Sequence, residues 1–203
     1  MSTTTQAIIN GYEESSNQII EAYQSISTEQ LLQPVIQHIP NPEKNALRAL
    51  DIGAGTGRDA LWLAKRGYQV TAVEPTLPLR RFGIQQSTQL PITWLNDTLP
   101  LLKTIQGPQF DLIFVFAVWH HLTTDAQRQS LQTIYRLLAP GGRIVLSCRH
   151  GPSLRPAFLI DVETLIADAE AAELRLIHRA HTNSIQSNNQ EAEVTWTWMV
   201  LAK

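Results

Sequence analysis

The chain has a single cysteine, Cys148, in 203 residues. No internal disulfide can form, and no cysteine cluster can hold a metal. Charge of one sign is also missing. The formal net charge is -2, so no overall basic field draws in nucleic acid. The longest apolar run, Leu112 to Trp119, is far short of the roughly 20 residues that a membrane-crossing helix needs. Met1 to Gln6 carries neither a basic n-region nor an apolar h-region, which argues against a signal peptide. No repeat is visible. A hydrophobic content of 43% and a charged content of 17% are ordinary for a globular protein. Together these features predict one cytoplasmic domain over residues 1–203, with room for a sizeable core.

One segment is far more specific. Leu47 to Ile52 is a short apolar run that carries Asp51 near its end, and Gly53, Gly55 and Gly57 follow it. Alternate glycines allow a tight turn and close backbone approach to a ligand. Ala60, Leu61 and Ala64 then give a helix an apolar face, with Lys65 and Arg66 in its last turn and Gly67 to close it. Val70 to Val73 forms a second strand that ends at Glu74. This is a nucleoside-binding βαβ unit with an acid placed for ribose hydroxyls. The dinucleotide fingerprint needs a third glycine at position 58, where the chain has Arg58.

The pattern Asp51-x-Gly53-x-Gly55-x-Gly57 with Glu74 resembles motif I of the class I S-adenosylmethionine-dependent methyltransferases. Asn96-Asp97-Thr98-Leu99-Pro100, Phe110-Asp111-Leu112-Ile113 and Leu138-Ala139-Pro140-Gly141-Gly142 are similar to further landmarks of that family, in the same order. Gly57 to Ala64 is also similar to the loop and helix of tellurite- and thiopurine-type methyltransferases. The resemblance runs from about Leu47 to the carboxyl end. It implies a Rossmann-like α/β three-layer sandwich with a mainly parallel seven-stranded sheet of order 3-2-1-4-5-7-6, strand 7 being antiparallel. It also implies S-adenosyl-L-methionine as cofactor.

The residues beside the motif add to this reading. Residues 1–10 read as frayed and Tyr12 to Ser25 as helical. Ser27 with Gln30 makes a capping box. Leu32, Val35, Ile36 and Ile39 form a helical stripe that Pro34 should kink. Residues 1–40 are thus expected to form a helical lid. Thr76 to Gln85 suggests another helix, Pro91 to Leu95 a third strand, and Phe110 to Phe116 a central strand covered on both faces. A helix follows with Leu131, Ile134, Tyr135 and Leu138 on one face. Ala139 to Gly142 ends it, Arg143 to Ser147 forms a fifth strand, and Asp161 caps a last helix. The end reads as two strands, about Arg175–Ala180 and Val194–Leu201, joined by a polar loop.

The resemblance implies cofactor contacts from Asp51, Gly53, Ala54, Gly55, Gly57, Arg58, Glu74, Pro75, Asn96, Asp97, Thr98, Phe116 and Ala117. Asp51 would reach the methionine amine, and Glu74 both ribose hydroxyls, since two carboxylate oxygens can accept from a diol. Asp97 would accept from the adenine amino group beside the Thr98 N–H, or else cap the turn after it. Arg58 could fork onto the methionine carboxylate or simply pair with Asp59. His120 and His121 follow strand 4, where the family's methyl group meets its acceptor. Either could be a general base, because imidazole titrates near neutrality. With no third ligand apparent, they do not suggest a metal site. For the substrate, Tyr12 and Tyr23 could line the lid, Trp119 a wall, and Arg149 and His150 an anionic group. Core packing is the competing account of the aromatics, and also of Trp196 and Trp198, which share one strand face.

The expected reaction is methyl transfer to a small molecule by in-line displacement. Strand 4 is not followed by an Asn/Asp-Pro-Pro-Tyr/Phe segment, which disfavours amino methylation of DNA bases, and Cys148 is misplaced for a cytosine nucleophile. Neither a nucleic-acid nor a membrane partner is expected. Two alternatives remain: a non-catalytic S-adenosylmethionine-binding regulatory protein, and an NAD-dependent dehydrogenase, which Arg58 argues against.

Overall fold

A computed structural model describes residues 2–42 and 47–203. Seven strands form one sheet of order β3-β2-β1-β4-β5-β7-β6. They are β1 (Arg48–Ile52), β2 (Gln69–Val73), β3 (Ile92–Leu95), β4 (Phe110–Val115), β5 (Leu138–His150), β6 (Arg175–Asn183) and β7 (Thr195–Ala202). The first five run parallel; β7 is antiparallel to both β5 and β6.

Alternation along the strands builds two cores, one on each face of the sheet. In β4, Ile113 and Val115 join Leu50, Ile52, Ile144, Leu146 and Met199 on one face. There they meet Leu131 and Ile134 of α6 (Thr124–Leu137) and Leu165 and Ala169 of α7 (Val162–Ala171). Leu112 and Phe114 face the other way. They pack with Ala49, Val70, Ala72 and Val200 against Ala60 and Leu63 of α4 (Arg58–Lys65) and against Leu32. A strand covered on both faces must be apolar at successive positions, as β4 is.

The amino-terminal region departs from expectation. Residues 3–14 form a helix, α1, with Ser2 Oγ accepting from the Thr5 N–H. Only Met1 of the segment expected to fray lies outside the described residues. Three threonines make a weak helix start, but Ile8 and Ile9 are buried and tertiary packing overrides propensity. The helix breaks at Ser15, and α2 (Ser16–Gln24) follows. Ser27 caps α3 (Thr28–Leu32) through the Gln30 N–H. The stripe beyond it is not one helix. A short 3-10 turn at Ile36–His38 takes over after Pro34, which has no N–H to continue the ladder. Leu32 and Val35 are buried while Ile36 is exposed.

Two further differences affect the site. β5 begins directly after α6 at Leu138 and runs to His150, so Arg149 and His150 lie within the strand and not after it. The β6–β7 connection holds a short helix, α8 (Ser187–Glu191). α5 (Leu77–Gln86) completes the set, and the ring of Trp94 lies against Gly83 within it. Among the described residues no helix is long and apolar enough to cross a membrane.

Candidate active site

The strand order reverses direction between β1 and β4, and ligands of open α/β sheets bind at the carboxyl ends beside such a switch. A cavity of about 1380 Å³ opens there. Single-ligand pockets are typically about 300–1,000 Å³, so this cavity exceeds the usual size for one small ligand. Its floor is the loop after β1. Gly53 and Gly55 have φ of 73° and 55°. A side chain at Gly53 would strike Val118 at 2.3 Å, and one at Gly55 would press on the Tyr23 ring at 3.2 Å. The backbone there is bare to the cavity because nothing larger than hydrogen fits.

Glu74, at the end of β2, is buried. Its Oε2 accepts from the Gly55 N–H at 2.8 Å and its Oε1 from the Thr76 N–H at 2.7 Å. These bonds orient the carboxylate, and each oxygen keeps lone-pair capacity. Burial pushes its pKa up, and the hydrogen bonds from Thr76 and Gly55 oppose that. Asp51 is more exposed to electrostatic stress. It is buried, its Oδ2 has no hydrogen-bond partner, and Asp59 lies close by. Desolvation first, and then the Asp59 charge, hold its pKa well above the usual carboxylate range. Thr56 Oγ1 is a second buried polar atom without a partner. A buried carboxylate with one free oxygen beside a glycine cradle suits a cationic group with donors, such as an ammonium.

Arg58 begins α4 and forks onto Asp59, with Nε–Oδ1 at 3.0 Å and Nη2–Oδ2 at 2.7 Å. Asp59 Oδ1 also accepts from Thr28 Oγ1 at 2.7 Å, which ties α3 to this corner. Arg58 still lines the cavity. Asp97, after β3, does what a turn cap does. Its Oδ1 accepts from the Thr98 N–H, and its Oδ2 from the N–H and hydroxyl of Thr104. The Thr98 N–H expected for a ligand is therefore already used.

The opposite wall holds the histidines. His121 Nδ1 lies 2.8 Å from the Pro156 carbonyl oxygen, which can only accept. Nδ1 therefore carries the hydrogen, and Nε2 accepts from the Tyr12 hydroxyl at 3.0 Å. Burial lowers the His121 pKa, with the nearby charges of Arg155 and Arg149 adding to the effect. His120 is buried, its Nδ1 has no partner, and burial lowers its pKa to about 3. Such an imidazole is a weak base at neutral pH. Ala117 sits between β4 and this turn at φ 55°, a costly conformation for a residue with a Cβ, and its N–H is held by Ser147 Oγ at 3.0 Å.

The cavity thus gathers Asp51, Gly53, Ala54, Gly55, Arg58, Glu74, Pro75, Asp97, Thr98, Phe116, Ala117, His120, His121, Tyr12, Tyr23 and Arg149. Four expected residues are not on its wall. Gly57 is packed by the Trp94 ring, which a side chain would meet at 2.8 Å. Asn96 lies outside the lining. Trp119 is fully buried among core residues, so it cannot touch a substrate. His150 is turned away by the strand period. Ser147 and Arg149 face the cavity, whereas His150 bonds to Thr197 Oγ1 at 2.8 Å. Conversely, Arg155, Trp196 and Trp198 line the cavity. The tryptophans were legible as one strand face, but nothing in the local sequence marks Arg155. Among the described residues no group of His, Cys, Asp or Glu is arranged to hold a metal.

Residues 50–146, just under half of the chain, match the model of a family described as a methyltransferase domain. An uncharacterized methyltransferase of Mycobacterium tuberculosis is 32% identical over 106 residues, 52% of each chain. The chain spans about half the length of the curated relatives it matches. Among solved structures, the 1,6-didemethyltoxoflavin-N1-methyltransferase of Burkholderia thailandensis superposes with a TM-score of 0.74 at 19% identity. The match covers 100% of this chain and 91% of that one, which holds 1,6-didemethyltoxoflavin and S-adenosylhomocysteine. The [4+2]-cyclase SpnF gives 0.77 at 13% identity, covering 100% and 97%. Residues 50–146 are thus similar to a methyltransferase domain, and the strand order is that of a Rossmann-like sandwich whose fold is shared with the superposed methyltransferase structure.

Proposed function

We propose that this chain binds S-adenosyl-L-methionine and transfers its methyl group to a small-molecule acceptor by in-line displacement. One observation carries the reading. The buried Asp51 carboxylate, whose Oδ2 has no partner, and the oriented carboxylate of Glu74 flank one glycine cradle at the switch point of the sheet. Asp51 would receive the methionine amine, Glu74 the two ribose hydroxyls, Arg58 the methionine carboxylate, and Asp97 the adenine amino group. Pro75, Phe116 and Ala117 wall the site. Residues 1–40 act as a helical lid on a single methyltransferase domain, with Tyr23 over Gly55.

When bound, the cofactor supplies a methyl group on a cationic sulfur, already a good leaving group. The protein's task is then to align the acceptor, exclude water and remove a proton where the acceptor carries one. Tyr12 and His121 suit the last task better than His120. The acceptor's proton passes to Tyr12 Oη as the Tyr12 hydrogen moves to His121 Nε2. The Pro156 carbonyl holds the resulting imidazolium through Nδ1–H.

The fold alone does not decide chemistry, since a cyclase shares it. A non-catalytic cofactor-binding protein is therefore the second reading, and a nicotinamide dehydrogenase the third. Thermal unfolding with S-adenosylhomocysteine and with NAD separates the dehydrogenase from the other two, and turnover with an acceptor pool separates those two from each other. A ligand at 100 times its dissociation constant adds about 2.7 kcal/mol, which is about 5–10 °C for a domain of this size. We expect that rise with S-adenosylhomocysteine and none with NAD; the reverse would assign the site to a dinucleotide.

Arg58 has its own test, because it already forks onto Asp59. Arg58→Ala should weaken S-adenosylhomocysteine about 10- to 100-fold in calorimetry, and adenosine, which lacks the carboxylate, much less. Equal losses for the two ligands would show that Arg58 only steadies Asp59.

A further inference from the structure

We infer that the methyl acceptor is a small anion, held by Arg149 and Arg155 beside the Tyr12–His121 pair. This rests on the methyltransferase reading and names the class of molecule that shares the cavity with the cofactor.

The two arginines come from different elements. Arg149 is on β5, and Arg155 is on the loop that follows it. Both line the cavity. Arg149 bonds only to neutral oxygens: its Nε and Nη2 reach the Pro152 carbonyl at 3.1 and 2.7 Å, and Nη2 reaches Asn189 Oδ1 at 3.1 Å. Its guanidinium lies over the Trp196 ring, 5.6 Å from the centroid. Arg155 Nη2 donates to the Gly11 carbonyl at 3.4 Å and to Ser15 Oγ. Its guanidinium stands 3.9 Å from the centroid of the Tyr12 ring, and its buried Nε has no partner. Among the described residues the ion pairs are Arg58–Asp59, Arg128–Asp168 and Arg179–Glu163, and neither cavity arginine takes part.

Two partly desolvated cations with only neutral partners are costly. The acids that line the cavity do not answer them: among the described residues neither Asp51 nor Glu14 makes an ion pair with either arginine, and Asp51 lies at the glycine loop, where the proposed function gives it the cofactor's amine. Asp59 is held by Arg58 and Thr28, Asp97 by its own turn, and Glu74 by Gly55 and Thr76. A sulfonium in the neighbouring site would add a third positive charge. An anion in the cavity beside the arginines would lower this charge excess, and guanidinium forks fit a carboxylate or phosphate in two-pronged fashion. The same two charges help to lower the His121 pKa. An anionic acceptor would offset that effect and make His121 more basic as the acceptor arrives.

The test uses a deproteinised cell extract split on an anion-exchange column at neutral pH. The flow-through holds neutral and cationic metabolites; the salt eluate holds anions. Each is incubated with the protein and methyl-labelled S-adenosylmethionine. Label should move to the anionic eluate. Arg149→Met and Arg155→Met should each lower that transfer about 10- to 100-fold, with calorimetric affinity for S-adenosylhomocysteine kept. Arg149→Lys and Arg155→Lys, which retain the charge, should fall less. Transfer to the flow-through alone, or methionine variants that transfer at the wild-type rate, would overturn the proposal. No transfer to either fraction despite S-adenosylhomocysteine binding would sink the methyltransferase reading itself, and this inference with it.

Discussion

Glu74→Ala should lower the affinity for S-adenosylhomocysteine about 10²- to 10⁴-fold in isothermal calorimetry. Two charge-assisted hydrogen bonds to the ribose are lost, each contributing about 1.5–3 kcal/mol. The number is large because the carboxylate is pre-oriented. The Gly55 and Thr76 N–H groups hold one oxygen each, so no freedom is lost when the diol arrives. The same geometry introduces a second effect, since both N–H groups lose their partner in the variant. Glu74→Gln separates the two. It keeps the shape and one acceptor oxygen, and should bind with intermediate affinity. Thermal unfolding of the ligand-free variants reports the scaffold contribution alone. Burial raises the Glu74 pKa, so in the ligand-free protein the ionised carboxylate is the penalised form. Its stabilising contribution is present below the unfolded-state pKa and is lost as pH rises through the higher folded-state pKa. Removing the carboxylate should therefore relieve a desolvation penalty at neutral pH while leaving the Gly55 and Thr76 N–H groups without that partner, and unfolding of the ligand-free variants reads the balance. Unchanged S-adenosylhomocysteine affinity in Glu74→Ala would be falsifying for the ribose site.

The second large effect concerns the proton path. His121→Asn and Tyr12→Phe should each lower turnover about 10²- to 10⁴-fold, the usual size of a lost general base, with S-adenosylhomocysteine affinity near wild type. That split marks an interaction made mainly in the transition state. The pH dependence has a definite sign. His121 must be neutral to accept a proton, so the rate falls as pH drops through its pKa. Burial and the two arginines lower that pKa, which places the inflection of the acceptor-free protein below the ordinary histidine value. The inflection should vanish in His121→Asn. His120→Asn tests the other histidine, whose pKa of about 3 leaves it little basicity. If the His120 and His121 variants both keep near-full turnover, the acceptor needs no base. If both lose cofactor affinity in proportion to activity, the histidines only shape the pocket.

The glycine-loop side of the cavity was legible without coordinates, for a local reason. Asp51, the glycine loop and Glu74 lie within one βαβ unit. Turn chemistry, strand alternation and the helix stripe over those two dozen residues all point the same way, and no distant contact is needed to read them. The sheet order followed from the family resemblance, and the apolar run of β4 marked it as central because a strand covered twice has no polar face. Where propensity was weak, the reading failed: Thr3 to Asn10 is helical because Ile8 and Ile9 find a core that the segment itself does not contain.

The opposite wall of the cavity was decided by tertiary structure. Tyr12 and His121 meet across 109 positions of sequence, and neither residue's neighbours announce the other. Arg149 and His150 look equivalent as a pair, yet β5 extends through both, and a strand sends successive side chains to opposite faces. One enters the cavity and the other bonds to Thr197. Arg155 carries no periodic or motif signal, and only the path of its loop brings it over Tyr12. Motifs are short-range patterns, so the chain alone determined its glycine loop and the acid that follows β2. Contacts between distant segments are set by packing, and packing alone chose which of the many polar residues face the cavity.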